Sequence, residues 1–494
     1  MAHSAGNRRV FCIFAVQKLH IMLIGRKKEK ELLTKLIEEE ESSFVAVYGR
    51  RRVGKTYLVR KTFEDKFTFF HTGLARSPLN KQLAAWRTSL RDYGMQKARL
   101  PHTWLDAFDM LKELVKASNE PKKLLFIDEL PWMDTHKSGF LPALEHFWNG
   151  WASARSDVIL IVCGSATSWI INNIIKNYGG LHNRITHSIH LQPFSLNECE
   201  QYATSKRLGM NRRQIMECYM IMGGVPYYWS KLERERSLAQ NVDALFFGQD
   251  AVLKDEFGNL YASLFKKPEP YIAVVSALGT KKAGMTREEL IDAGGFSDNG
   301  KLTEMLENLE ACGFIRRYKA FGLKSKNALY QLIDSYTLFY YQFIQQNLQS
   351  DEHFWSASMG TPLYYNWCGL AFERLCLLHL PQIKAALGVS GVVSNACSWV
   401  SVSKNEDEKG AQIDLLIDRA DDVIDLCEMK YTKTPYSVSD EDMEKIMHRQ
   451  SLFAAETSTS KAIHLVLVSA SGVVRNANAN EFQNILTAED LFES

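Results

Sequence analysis

Residues 49–56 constrain the fold of this chain more than any other segment. They read Gly-Arg-Arg-Arg-Val-Gly-Lys-Thr, directly after the β-rich run Ser43–Tyr48 and directly before a segment with helical spacing. A glycine-rich loop that opens a helix offers backbone N–H groups and the positive end of the helix dipole to a chain of phosphates. The segment therefore predicts a P-loop in an α/β fold that binds ATP. The predicted nucleotide contacts are Gly49, Arg50, Arg51, Arg52, Val53, Gly54, Lys55, Thr56 and Tyr57.

Side chains at the end of the loop and on a later strand suggest hydrolysis with Mg²⁺. Lys55 is placed to reach the β- and γ-phosphates, and the Thr56 hydroxyl is placed to ligate Mg²⁺. The apolar run Leu124–Ile127 leads directly into Asp128 and Glu129, so both acids are expected at the carboxyl end of a buried strand. We expect Asp128 to hold Mg²⁺ through water and Glu129 to polarise the attacking water.

Two further residues are candidates for the same site. Ser165 follows the apolar run Val158–Cys163 and Gly164, where a polar side chain would contact the γ-phosphate or the attacking water. Arg184 is a candidate for neutralising charge in the transition state, although a single arginine in a loop is more typical of a surface ion pair.

Length and composition limit the number of domains, the partners and the compartment that are expected for this chain. With 494 residues, the chain is expected to form about three domains at the typical ~100–200 residues per domain. Its 59 Lys and Arg residues against 57 Asp and Glu residues give a net charge of +2, so any basic surface must be local. The nine cysteines lack paired spacings, which predicts free thiols in a reducing cytoplasm. The apolar run Val10–Val16 is too short for a membrane span, and no membrane partner is expected.

The order of apolar and helical segments predicts an α/β protein with several parts. These are a P-loop NTPase core with a parallel sheet, a helical lid, a winged helix-turn-helix and a second, nuclease-like α/β domain at the C-terminus. The expected bounds are an extension at 1–21, the core at 22–200, the lid at 201–262, the winged helix at 263–334 and the last domain at 335–494.

Several motifs together resemble the archaeal-type ATPases of the STAND/AAA+ group. The resemblance covers residues 22–262 and rests on Ile24-Gly25-Arg26, the P-loop, Ile127-Asp128-Glu129-Leu130, Gly164-Ser165 and Gly223-Gly224-Val225-Pro226. In that group the Gly-Arg before the first helix and the Gly-Gly-x-Pro of the lid lie near the adenine. The resemblance therefore implies that Ile24, Gly25 and Pro226 contact the nucleotide. The chain departs from the family's usual Gly-Arg at residues 183–184, where Asn183 precedes Arg184.

The expected winged helix leaves two interpretations open. Its strand region is basic and aromatic, which suits contacts with the phosphates of DNA or RNA. Its would-be recognition helix, residues 301–312, carries Glu304, Glu307 and Glu310, which would repel phosphates. The module is therefore either a nucleic-acid contact or a coupler between domains. The basic residues are Arg316, Arg317, Lys319, Lys324 and Lys326.

The C-terminal segment carries a possible second active site. Asp414 lies in one strand candidate, and Glu428-Met429-Lys430 ends the next, where residues i and i+2 share a face. Two carboxylates that hold Mg²⁺ beside a lysine are the apparatus of metal-assisted phosphodiester hydrolysis. Glu373, on an earlier helix, would supply a further acid.

Residues 335–494 resemble the restriction-endonuclease-like PD-(D/E)xK superfamily, specifically the domain that follows archaeal-type ATPases in fused chains. Ile413 stands where the signature has proline. The resemblance implies metal-binding roles for Asp414 and Glu428 and a catalytic role for Lys430. The alternative is an α/β domain with a surface Glu-Lys pair.

These observations lead to two hypotheses. The first is an ATP-driven, Mg²⁺-dependent switch or motor that acts on a nuclease-like effector. The second is a nucleotide-regulated module that binds nucleic acid or a protein without cutting. A third reading is a signalling ATPase that acts through homo-oligomerisation.

Overall fold

The computed structural model describes residues 23–165, 167–176, 179–181, 183–322, 328–347, 351–401 and 410–493. Within these residues no helix combines the length and the apolar character needed to cross a membrane. The extension expected at 1–21, and Lys324 and Lys326 of the basic region, lie outside the described residues.

The first part of the chain forms a parallel sheet with strand order β2-β3-β4-β1-β5. Side chains of β1 alternate between two helical layers, because Phe44 and Ala46 pack into one apolar core and Val45 and Val47 into another. The predicted α/β fold with a parallel sheet is confirmed. Its elements are α1 (Lys27–Lys35), β1 (Ser43–Tyr48), α2 (Lys55–Thr62), β2 (Phe69–Thr72), α3 (Leu79–Asp92), α4 (Trp104–Ala117), β3 (Lys123–Asp128), α5 (Phe140–Gly150), β4 (Val158–Gly164), α6 (Thr167–Ile170) and β5 (His187–His190).

A helical region follows the sheet. Its first helix begins after Ser195, whose side chain forms a reciprocal capping box with Glu198. The boundary expected between residues 200 and 201 therefore falls inside a helix. The helices are α7 (Leu196–Ser205), α8 (Arg212–Met222), α9 (Pro226–Trp229), α10 (Leu238–Val242) and α11 (Glu256–Leu264).

The next region has the order helix, strand, helix, helix, strand, strand. Its three short strands form an antiparallel sheet in the order β6-β8-β7. Its third helix packs against α6 of the first region, so this region lies against the parallel sheet. The elements are α12 (Glu269–Gly279), β6 (Met285–Thr286), α13 (Arg287–Gly294), α14 (Gly300–Ala311), β7 (Ile315–Tyr318) and β8 (Leu329–Leu332).

The last region contains a mixed five-stranded sheet with the order β13-β12-β11-β10-β9. Strand β10 runs antiparallel to both of its neighbours, β9 and β11, whereas β12 and β13 run parallel to β11. The pairing of β10 with β9 shifts between Ile413 and Leu416, which marks a β-bulge. The elements are α15 (Ser335–Phe339), α16 (Phe354–Ser358), α17 (Pro362–Leu378), α18 (Leu380–Ala386), β9 (Ser394–Ser401), β10 (Ala411–Arg419), β11 (Val423–Lys430), α19 (Asp440–Thr457), β12 (Ala462–Ser469) and β13 (Asn484–Thr487).

One apolar core runs through the last three regions. It extends without a break from Phe194 at the start of the helical region, through Phe314 beside the antiparallel sheet, to Phe492 near the end of the chain. Helix α17 contributes Phe372 to this core, while α19 contributes Phe453 to a smaller core on the other face of the C-terminal sheet. The helical region, the small sheet and one face of the last sheet are therefore packed as one body.

Candidate active site

The loop at residues 49–56 leaves β1 and enters α2 under tight steric limits. Gly49 has a φ of 143°, and a Cβ atom there would lie 2.3 Å from the carbonyl oxygen of Leu191. Gly54 has a φ of 92° and directly precedes the first residue of α2. These two glycines allow the loop to turn back over the carboxyl end of β1, which points the amino end of α2 at the enclosed space.

Lys55 is held inside this loop. Its Nζ donates hydrogen bonds to the carbonyl oxygens of Gly49, at 2.8 Å, and Arg50, at 2.9 Å. The side chain is 6% exposed. The loop backbone therefore fixes the position of the ammonium group.

Thr56 and Asp128 meet although 72 residues separate them. The Thr56 hydroxyl donates to Oδ2 of Asp128 at 2.8 Å. Because β1 and β3 are parallel and separated only by β4, their carboxyl ends lie at one edge of the sheet. A hydroxyl and a carboxylate are both hard oxygen donors, so this pair fits Mg²⁺ that also takes ligands from phosphates.

Glu129 faces the same space from the next position. Its backbone is left-handed, with φ 49° and ψ 48°, which turns the side chain away from the direction of β3. Its Oε2 accepts hydrogen bonds from the Ser165 backbone N–H at 3.2 Å and from the Ser165 hydroxyl at 2.9 Å. Burial, with a further contribution from the charge of Asp128, raises the pKa of Glu129. A carboxylate with a raised pKa is suited to polarise water.

These residues border a cavity of about 490 Å³ between the loop and the helical region. Of the residues expected from the sequence, it is lined by Ile24, Arg51, Arg52, Val53, Gly54, Lys55, Thr56, Tyr57, Glu129, Ser165 and Pro226. The expected residues Gly25, Gly49, Arg50 and Asp128 are not in this lining. Arg184 is exposed and also lies outside it.

Several further residues line the cavity without a predicted role in it. Arg26 belongs to the Ile24-Gly25-Arg26 motif, and the others are Leu23, Leu58, Phe194, Tyr202, Lys206, Tyr227 and Ser230. The aromatic residues come from helices of the helical region and from the turn before it, so only the tertiary fold brings them to the loop. The adjacency of Tyr227 to Pro226 is the one signal in the sequence that points to them.

The charges around the cavity suit an anionic ligand. Among the described residues that line it, five are cationic and one, Glu129, is a carboxylate. Arg26 and Arg52 are each paired with an acid, Glu198 at 3.8 Å and Glu256 at 2.6 Å. The remaining cations are Arg51, Lys55 and Lys206. The lining therefore combines cations with aromatic rings, as a phosphate chain and a flat base require.

Arg52 also links the loop to the helical region. Its guanidinium lies 4.0 Å above the ring of Tyr227, and Glu256 in turn accepts a hydrogen bond from the Tyr228 hydroxyl at 3.1 Å. The wall of the cavity opposite the loop is thus held by an ion pair and a cation–π contact.

Residues 23–232 match the model of a protein family described as an ATPase domain predominantly from Archaea. The chain carries an archaeal-type ATPase domain. The matched segment contains the loop, Asp128, Glu129, Ser165 and Pro226, so the geometry above belongs to this ATPase domain.

Two relatives and one solved structure are similar to the chain. An uncharacterized protein of Methanocaldococcus jannaschii is 23% identical over 361 residues, which are 72% of this chain and 76% of that protein. An uncharacterized ATP-binding protein of the same archaeon is 44% identical over 46 residues, which are 9% of this chain and 78% of that protein. A Walker-type ATPase of Pyrococcus abyssi has a TM-score of 0.46 and 16% identity, and the match covers 64% of this chain and 95% of that one.

Outside the ATPase domain, the structure places the C-terminal acids on two faces of the last sheet. Asp414 lies 3.7 Å from Nζ of Lys282, which also contacts Glu373 of α17 at 2.6 Å. Burial, with a contribution from Asp414, raises the pKa of Glu373. These two acids therefore lie on the α17 face and share one lysine from the preceding region.

Glu428 and Lys430 lie together on the α19 face, as the two-residue spacing predicts. They form an ion pair at 2.9 Å, and the second oxygen of Glu428 contacts Arg449 of α19 at 2.9 Å. The expectation that Asp414 joins them is not met, because the bulge after Ile413 turns Asp414 to the opposite face. Among the described residues no group of three His, Cys, Asp or Glu side chains is arranged to hold a metal ion.

The region with the order of a winged helix is docked rather than free. Phe321 packs on Phe453 of α19 with 5.0 Å between ring centroids, and its N–H donates to the Ser398 carbonyl of β9 at 2.8 Å. Arg316 donates to Gln331 at 2.6 Å, whereas Arg317 and Lys319 are exposed. The exposed face of α14 carries Glu304, Glu307 and Glu310, as expected from the sequence.

Proposed function

We propose that this chain is a Mg²⁺-dependent ATP hydrolase whose nucleotide state controls the arrangement of its C-terminal half. The observation that carries the proposal is the convergence of Lys55, Thr56, Glu129 and Ser165 on one cavity, with Asp128 hydrogen-bonded to Thr56 directly behind its lining. These are the groups that phosphoryl transfer to water needs: a cation for the phosphates, oxygen donors for the metal and a carboxylate for the water.

The chain's own residues act in a definite order in this proposal. The phosphates enter between the loop N–H groups and Lys55, which gives up its contacts with the loop carbonyls. Thr56 and Asp128 would hold Mg²⁺, which when bound neutralises charge on the phosphates. Glu129, held by Ser165, orients and polarises the attacking water. The aromatic wall with Tyr202, Tyr227 and Pro226 excludes bulk water and seats the base.

The test of this function is binding and hydrolysis of ATP by the full chain with Mg²⁺. In the Lys55→Ala variant we expect a loss of nucleotide affinity of about 10- to 100-fold, since a charge-assisted hydrogen bond contributes about 1.5–3 kcal/mol. The matched control is Lys66→Ala, because Lys66 is exposed and pairs only with Glu64. If the wild-type chain neither binds nor hydrolyses ATP, the proposal is wrong.

The regions after the ATPase domain support a coupling role. The order of helices and strands at residues 269–332 fits the winged helix-turn-helix that the order of segments in the sequence predicts. At one end of this region, α14 packs against α6 of the ATPase domain. At the other end, Phe321 contacts β9 and α19 of the last region. A module held on both sides is suited to transmit movement, and we therefore favour the coupler over a direct contact with DNA or RNA.

A nuclease effector is the second candidate. The order α17 and α18, β9, β10, β11, α19, β12 suits the PD-(D/E)xK resemblance, and Glu428 and Lys430 share a face. Against it, each acid of the expected set is already paired with a cation, and Asp414 faces away from Glu428. The geometry favours the alternative, a regulated binding module for nucleic acid or protein.

Cleavage assays separate the two candidates. Single- and double-stranded DNA and RNA are incubated with Mg²⁺ or Mn²⁺, with and without ATP, using the wild type and Lys430→Ala. The matched control is Lys445→Ala, an exposed residue of α19 paired with Glu441. We expect no cleavage by any of the three. Cleavage that only Lys430→Ala abolishes would establish the nuclease.

A further inference from the structure

Arg50, the second residue of the nucleotide loop, faces away from the nucleotide cavity. Its side chain is 4% exposed, and its Nη1 contacts Oδ1 of Asp334. Its guanidinium lies 5.0 Å from the ring centroid of Phe314. Asp334 lies between β8 and α15, where the small antiparallel sheet ends and the C-terminal half begins. A residue of the nucleotide loop is thus joined to a junction 284 positions away.

The same carboxylate of Asp334 also starts α15. Its other oxygen, Oδ2, accepts hydrogen bonds from the Thr337 backbone N–H at 3.0 Å and from the Thr337 hydroxyl at 2.6 Å. Such a cap contributes to the stability of a helix start. A change in the Arg50–Asp334 contact therefore directly affects the first turn of α15.

Protein groups bind the Arg50 guanidinium only in part. Two of its donors, Nε and Nη2, have no protein hydrogen-bond partner among the described residues. Beside the pair lies a cavity of about 880 Å³, lined by Arg50, Asp334, Gly313 and Ser335 among others. The guanidinium therefore has donors without protein partners and space next to it into which it can move.

Lys55 of the nucleotide loop connects phosphate binding to the Arg50–Asp334 pair. Lys55 holds the carbonyl oxygen of Arg50, and a phosphate chain competes for the same ammonium group. When Lys55 turns to phosphate, the backbone of Arg50 loses this hydrogen bond. The side chain on that backbone is the one that reaches Asp334.

We propose that Asp334 is a positioning residue of the nucleotide loop and that the Arg50–Asp334 pair relays the nucleotide state to α15 and the C-terminal half. The inference rests on the proposed function, since it concerns regulation of the same ATP site. The pair is formed while Lys55 holds the Arg50 carbonyl, so phosphate binding that draws Lys55 away from this carbonyl works against the pair. By linkage, loss of the pair raises nucleotide affinity.

The decisive variant removes both charges at once, as Arg50→Met with Asp334→Asn. Removing one partner alone leaves an unpaired buried charge, whereas replacing both is tolerated better. Asparagine still caps α15. The control is Thr337→Val, which removes a hydrogen bond to Asp334 but leaves the ion pair. Amide hydrogen exchange is measured at residues 329–339 with and without Mg²⁺ and an ATP analogue that is not hydrolysed, together with the Kd of the analogue.

In the wild type and in Thr337→Val, we expect the analogue to change exchange at residues 329–339, which lie outside the nucleotide cavity. In the double variant we expect this response to be lost and the analogue to bind at least about 5-fold more tightly. A double variant that keeps the response overturns the inference.

Two outcomes in the wild type separate this inference from the proposed function, and neither depends on whether the variant folds. Tight binding of the analogue without any change in exchange at residues 329–339 overturns the relay and leaves the ATP site intact. Absence of nucleotide binding overturns the proposed function, and the relay with it.

Discussion

Ser165 donates two hydrogen bonds to one oxygen of Glu129, from its backbone N–H at 3.2 Å and from its hydroxyl at 2.9 Å. A Ser165→Ala substitution keeps the backbone bond and removes only the hydroxyl bond. The arrangement therefore allows the position of Glu129 to be perturbed separately from its charge.

Replacing Glu129 with glutamine removes the charge and keeps the shape. We expect hydrolysis to fall by about 100- to 1,000-fold, because a general base contributes about 10²–10⁴-fold, while nucleotide binding persists. Ser165→Ala, which loses only the hydroxyl bond, is expected to fall less, by about 10-fold, since that bond contributes about 1.5 kcal/mol. Steady-state phosphate release and the Kd of a non-hydrolysed ATP analogue are the measurements. Equal rates for Glu129→Gln and the wild type would remove Glu129 from the mechanism.

The pH dependence of hydrolysis follows from the same carboxylate. Burial and Asp128 raise the pKa of Glu129, and only its ionised form polarises water. Hydrolysis is therefore full above that raised pKa and is lost as the pH falls through it. We expect the acidic limb of the kcat profile to lie above the ordinary glutamate value of about 4.3. Circular dichroism over the same range checks that the chain stays folded. An acidic limb at or below the ordinary value would contradict this assignment.

Tyr227 is expected to shape the nucleotide cavity through its ring and not its hydroxyl. Arg52 lies 4.0 Å above that ring, and both residues line the cavity. In Tyr227→Ala the aromatic wall and the cation–π contact are lost, and we expect nucleotide affinity to fall by about 5- to 30-fold, which corresponds to about 1–2 kcal/mol. Tyr227→Phe is the matched control and should bind as the wild type does. If both variants bind equally weakly, the hydroxyl and not the ring is the contact.

His379 makes the stability of the chain depend on pH. Its Nε2 accepts a 3.1 Å hydrogen bond from the Leu196 N–H at the start of α7, which a protonated ring cannot do. Burial lowers its pKa from the ordinary histidine value of 6.5 to about 4. Between these values the unfolded chain binds more protons than the folded one, so stability is present above about pH 6.5 and is lost as the pH falls towards 4.

At pH 5 this loss amounts to about 2 kcal/mol for His379. His71, whose pKa burial also lowers to about 4, adds a loss in the same direction. Between pH 7 and pH 5, we expect the free energy of unfolding to decrease less in His379→Gln than in the wild type. The remaining decrease includes the contribution of His71. Denaturant titrations at both pH values measure this. A variant with the full wild-type slope would show that His379 does not titrate on unfolding.

The ATP-facing half of the site could be predicted because its residues carry a spaced motif. Lys55, Thr56, Asp128 and Glu129 follow apolar strands, and parallel strands bring their carboxyl ends to one edge. The direction of the Arg50 side chain could not be predicted in this way. The sequence places Arg50 in the loop, but the direction of its side chain depends on Asp334, 284 residues later.

The C-terminal acids show a second limit. The rule that residues i and i+2 share a face places Glu428 beside Lys430, as the structure has them. The alternation of faces does not hold at Asp414, because a bulge adds one residue to β10. No residue type in that stretch predicts the bulge. The aromatic wall of the nucleotide cavity could not be predicted either, because Phe194 reaches it from a turn and Tyr202 and Tyr227 from helices, none at a fixed spacing from the loop.

The core that runs from Phe194 to Phe492 limits where the chain can be cut into stable fragments. Cuts at the expected boundaries, after residue 262 or residue 334, would each expose apolar side chains that belong to one shared interior. A fragment ending there presents to water a surface of the kind that drives aggregation. The ATPase domain and the C-terminal half are thus more like two ends of one cooperative unit than two modules joined by a tether, and fragments of either should be harder to purify than the whole.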